Sequence, residues 1–74
     1  MSVPYTVNVL IERDARWQIT EIVDELSKLG MTVERVGVNT GVISGIIPSD
    51  ETATLIRALP AVKTVARDRT VSAL

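Results

Sequence analysis

Ile19, Ile22, Val23, Leu26 and Leu29 recur at helical spacing, and Gly30 follows the last of them. A stripe on this period marks an amphipathic helix with one face to bury. Glycine is the usual residue just past a helix C-terminus. The spacing therefore predicts a helix from about Ala15 to Leu29, with Asp14 as its N-cap. Such a helix cannot bury its own stripe, so the flanking segments must supply an apolar surface. Trp17 falls almost opposite the stripe. It either folds over the helix start or a neighbouring loop, or stands exposed as a binding contact.

The flanking segments read as strands. From Val3 to Glu12, Val3, Tyr5, Val7, Val9 and Ile11 alternate with Pro4, Thr6, Asn8 and Leu10. Period two with β-branched residues is a strand signal, and Pro4 belongs at its start or on an edge. Tyr5, Val7 and Val9 are core candidates, which sends Thr6, Asn8 and Leu10 to the opposite, open face. Met31 to Val38 is a second strand and Val42 to Ile47 a third. Gly37-Val38-Asn39-Thr40-Gly41 supplies the turn of a hairpin between them, because Gly and Asn tolerate positive φ. The third strand has apolar residues on both parities, as a central strand does, and this leaves its register open. Gly45 inside it marks a bulge or a close backbone approach.

Pro48-Ser49-Asp50-Glu51 opens a second helix. Ser49 or Asp50 can cap it, and the acids suit its positive end. Ala53, Ile56 and Leu59 form its stripe with Leu55 beside them, and Pro60 ends it. Lys63 to Asp68 is the fourth strand. The order βαββαβ predicts an α+β fold, a ferredoxin-like sandwich: a four-stranded antiparallel sheet with two helices on one face. It makes one domain over residues 1–74, with residues 70–74 an extended C-terminal tail. The other sheet face stays uncovered, a place for a partner or a second copy.

Composition removes most chemistry. The chain has no Cys and no His. That excludes a disulfide staple, histidine catalysis and a thiol nucleophile, and argues against a structural zinc site. Lys28 and Lys63 read as solvated charges. Asp24-Glu25 and Asp50-Glu51 are helix neighbours that point apart, so neither pair is a carboxylate dyad. Gly37, Gly41 and Gly45 lie in a hairpin and lack the spacing of a phosphate-binding loop. The expectation is no enzyme, no cofactor and no metal. Formal net charge is −1 with acids and bases interspersed, and Tyr5 and Trp17 are the only aromatics. Nucleic acid and membrane are therefore not expected partners. The start lacks the pattern of a signal peptide, which points to the cytoplasm.

A function comes only through a resemblance. Gly41-Val42-Ile43-Ser44-Gly45, then Leu59-Pro60-Ala61-Val62, lead to the run Val65-Ala66-Arg67-Asp68-Arg69-Thr70-Val71-Ser72-Ala73-Leu74. With the βαββαβ order, these resemble the subtilisin-propeptide-like inhibitors of serine proteases, a family of prodomains and free-standing inhibitors. The resemblance implies an inhibitor of a subtilisin-like serine protease. Its open sheet face, with Thr6, Asn8 and Leu10, would dock on two surface helices of the protease. Its tail, Val71, Ser72, Ala73 and Leu74, would lie in the substrate cleft as an added strand. Leu74 would fill the primary pocket like a bound product, and Val71 a second apolar pocket. The family often has acids at positions 66–68 that cap the protease helices; this chain keeps Asp68 and has Ala66 and Arg67. With no protease following Leu74, it would act in trans, as a free inhibitor or a separate folding helper.

Two other readings use the same fold. One is a small regulatory ligand-binding module similar to an ACT domain, suggested by the glycine-rich hairpin and the helix starts. The other is a protein-interaction module that uses the open face near Leu10, including a weak homodimer through that face.

Overall fold

A computed structural model describes residues 4–68. The elements are β1 (Tyr5–Ile11), α1 (Ile19–Lys28), β2 (Thr32–Gly37), β3 (Val42–Ile47), α2 (Asp50–Arg57) and β4 (Val62–Arg67), with a 3-10 segment Arg13–Gln18 leading into α1. The strands form one antiparallel sheet in the order β2-β3-β1-β4. This is the ferredoxin-like α+β sandwich that the element order predicts.

Alternation in β1 decides which way the sheet faces. Val7, Val9 and Ile11 are buried against the helices, while Thr6, Asn8 and Leu10 are half-buried on the other face. Ile43 and Ile47 of β3, Val62 and Val65 of β4, and Ile19, Ile22 and Leu26 of α1 complete most of the core with Met31, Ala53 and Ile56. The third strand is central, and its register is now defined: Val7 pairs with Gly45, and Val9 with Ile43. Gly45 is a close approach, since a Cβ there would crowd the Thr32 backbone. The facing strand β2 has a bulge between Val33 and Arg35. An extra residue of this kind bends an edge strand and interrupts its ladder.

Four local expectations are corrected. The first helix begins as a 3-10 segment, and Asp14 lies inside it rather than capping an α-helix. The Glu12 N–H donates to the Ala61 carbonyl at 2.8 Å, and the Ala15 N–H donates to the Glu12 carbonyl at 2.9 Å. Together these tie the segment's start to the α2–β4 connection. Ser49 is the N-cap of α2 but makes no side-chain capping bond. Leu55 is 53% exposed, and the buried residues of α2 are Thr52, Ala53 and Ile56. Thr52 is turned inward near Gly30, while Leu55 stays outside. Trp17 is 80% exposed, so it does not fold over the helix start.

At the helix end, Gly30 has φ +109°, and the Gly30 and Met31 N–H groups donate back to the Ser27 and Leu26 carbonyls. A left-handed residue there satisfies carbonyls that the helix leaves orphaned.

Candidate functional site: the open sheet face

The pairing register assembles the face. Thr6, Asn8 and Leu10 of β1 stand opposite Ile46, Ser44 and Val42 of β3. On the other side, Asn8 and Leu10 face Ala66 and Thr64 of β4. The Ser44 hydroxyl donates to the Asn8 side-chain oxygen at 2.6 Å. No other described hydrogen bond uses the Asn8 side chain. The result is a polar centre, Asn8 with Ser44, between apolar flanks. Leu10 and Val42 form one flank, and Ile46 lies beside Thr6 on the other. Both helices pack on the opposite face, so among the described residues nothing covers this one.

The structure brings together Thr6, Asn8, Leu10 and Asp68. The Asp68 N–H donates to the Thr6 carbonyl at 2.9 Å, which extends the β1–β4 ladder by one step. That register sets Asp68 opposite Thr6 on the open-face parity. Val71, Ser72, Ala73 and Leu74 lie outside the described residues.

Arg67 faces the other way. It pairs with Val7, and its guanidinium sits over the Tyr5 ring, 4.4 Å from the centroid. A cation over an aromatic face is held by the ring quadrupole. Tyr5 in turn donates its hydroxyl to Asp50 at the start of α2. This cluster is invisible in the sequence, where the three residues are far apart. Its consequence for the open face is electrostatic: the positive charge at position 67 is turned away, and Ala66 and Asp68 take the face.

The hydrogen bond to Asp50, with some loss of solvent and the nearby carboxylate charge, raises the Tyr5 pKa above its ordinary value; Arg67 and Arg57 oppose the rise. A raised folded pKa means the contact stabilises the fold fully below the unfolded tyrosine pKa and loses that effect as pH rises through the folded value. Tyr5→Phe is expected to lower stability by about 1 kcal/mol near neutral pH. As pH rises through the wild-type phenol's raised pKa, above the ordinary tyrosine value of about 10, the difference between variant and wild type should shrink. Denaturation of both proteins across this range measures it, and a pH-independent difference would refute the assignment. Tyr5 is the only tyrosine, so ultraviolet titration reports its ionisation directly.

Among the described residues, no three Asp or Glu side chains gather closely enough to hold a metal ion. No described helix is long and apolar enough to cross a membrane. Comparison of the chain with protein-family models, with curated proteins and with solved structures gives no match.

Proposed function

We propose that this protein inhibits a subtilisin-like serine protease, docking through its open sheet face and entering the substrate cleft with Val71–Leu74. The observation that carries the reading is the bare face itself. It has an apolar surface around the Asn8–Ser44 pair, and Asp68 is held in register beside Thr6. A carboxylate at a helix N-terminus is favourable by about 0.3–1 kcal/mol, so Asp68 suits a partner that presents helix starts. Arg67, whose charge would oppose that contact, is engaged by Tyr5 on the far side.

The test is inhibition of a purified subtilisin, followed with a chromogenic peptide, by the full chain and by a version ending at Thr70. The full chain is expected to inhibit and the shortened one to lose most of the effect. Burying a leucine side chain contributes about 1.5–3 kcal/mol, so Leu74→Gly should weaken inhibition about ten- to a hundredfold. Equal inhibition by both chains would refute the tail mechanism. No inhibition by either would refute the reading. A homodimer through the open face would compete for the same surface, and sedimentation at the inhibitory concentration separates the two.

A further inference from the structure

A groove of about 590 Å³ lies on the helix side of the molecule, away from the open sheet face. One wall is the 3-10 segment and α1; the other is the Leu59–Ala61 turn. Ile22 and that turn give it an apolar floor. Glu12, Asp14, Glu21 and Glu25 line it, and no Lys or Arg does.

This is not the average character of the chain, which has eight bases against nine acids. Among the described residues no cation pairs with any of these four carboxylates. Glu21 and Glu25 are four apart on α1, a like-charge spacing that costs an isolated helix a few tenths of a kcal/mol. The neighbouring pair on the same helix is complementary: Lys28 and Asp24 meet at 3.2 Å. Negative charge is therefore concentrated around an apolar depression and left uncompensated there. Such a site attracts positive charge and repels phosphate and anionic headgroups.

The spread of the charge selects the kind of cation. The four carboxylates are strung along the wall made by the start of the 3-10 segment and α1, yet no three described carboxylates come close enough to share one ion. The complementary charge must be distributed along an extended partner. The floor asks for aliphatic contact, which the methylene stems of Lys and Arg and an intervening leucine supply. We propose that this groove binds an extended basic peptide segment, with Lys or Arg side chains on the four carboxylates and aliphatic side chains on the Ile22 and Leu59–Ala61 floor. This is a second interaction surface, independent of the one that would meet a protease.

The probe is a capped pentapeptide, Lys-Leu-Arg-Leu-Lys, titrated into the full chain at low salt while amide resonances are followed. Saturable shifts are expected at Gln18, Ile22, Glu25 and Ala61. Affinity should fall about fivefold or more in Glu21→Gln/Glu25→Gln, and stay unchanged in Asp24→Asn, whose side chain is outside the groove. It should weaken as salt rises from about 0.02 to about 0.3 M. Glu-Leu-Glu-Leu-Glu should not bind, and Lys-Gly-Arg-Gly-Lys should bind more weakly. Shifts confined to other surfaces, or equal affinity in the double variant, would overturn the proposal. Spermine or the glycine peptide binding as tightly would overturn the peptide assignment, since charge alone would then suffice. Protease inhibition is read separately, so neither result decides the other.

Discussion

Leu26→Ala is expected to remove most of the stability of this domain. Leu26 is fully buried in α1, and its carbonyl also receives the Leu29 and Met31 N–H groups that close the helix. Truncating a buried leucine costs about 2–5 kcal/mol, the lost transfer energy plus the cavity that remains. A single core in a chain this short supplies only about 3–5 kcal/mol in total. The two figures overlap, so the variant should be largely unfolded or melt far below the wild type. Alanine is the best helix former, so the backbone does not contribute to the loss. Leu26→Met keeps the volume and should cost less than about 1.5 kcal/mol. Urea denaturation of the three proteins measures both. A Leu26→Ala midpoint close to wild type would show that the core closes around the gap.

Gly45→Ala should be the next most damaging change, for the opposite reason. The new Cβ would lie inside 3.0 Å of the Thr32 carbonyl oxygen and 2.9 Å from the Met31 terminal methyl. Met31 can rotate, but the Thr32 oxygen belongs to the backbone of β2, paired across from β3. Overpacking of this kind costs about 1–3 kcal/mol, partly offset by about 0.4–1 kcal/mol from a stiffer unfolded chain. Gly37→Ala is the control. Its nearest neighbour is the Thr40 hydroxyl, a side chain that can turn away, so its cost should be smaller. Hydrogen exchange at Val33 and Glu34 should quicken in Gly45→Ala and stay near wild type in Gly37→Ala. Equal effects would mean that β2 yields freely at its bulge.

What the sequence made legible was what periodicity reports. The alternation from Val3 to Glu12 identifies both faces of β1 correctly, down to Thr6, Asn8 and Leu10. The stripe from Ile19 to Leu29 does the same for α1, and the two-parity pattern of Val42 to Ile47 for a central strand. Local chemistry was less reliable where a distant group intervenes. Asp14 has the composition of a cap, yet the backbone around it is set by the Glu12–Ala61 bond, which closes across the whole domain. Leu55 sits beside the stripe by composition but stays outside, because the buried strip of Thr52, Ala53 and Ile56 runs along Ile56, about 100° round the helix from Leu55.

Parts of the sites were legible and parts were not. The open face follows from β1 alone. The stacking of Arg67 on Tyr5 needs the β1–β4 register, and the acidic groove needs the Leu59–Ala61 turn to close against α1. Its four carboxylates are scattered among bases in the sequence, so no charge run announces them. Val71 to Leu74 rest on the resemblance of their sequence.

The strand order has a consequence for how this protein is made. β1 is translated before the other three strands, yet its two neighbours in the sheet are β3 and β4. At a synthesis rate of about 5–20 residues per second, Val7, Val9 and Ile11 wait roughly several seconds for β4 to be translated. During that interval the nascent chain can form the β2–β3 hairpin and add β1, but one side of β1 stays open. The strand that will lie inside the sheet is thus its temporary border, and the nascent chain is most exposed to wrong pairing just before the last strand arrives.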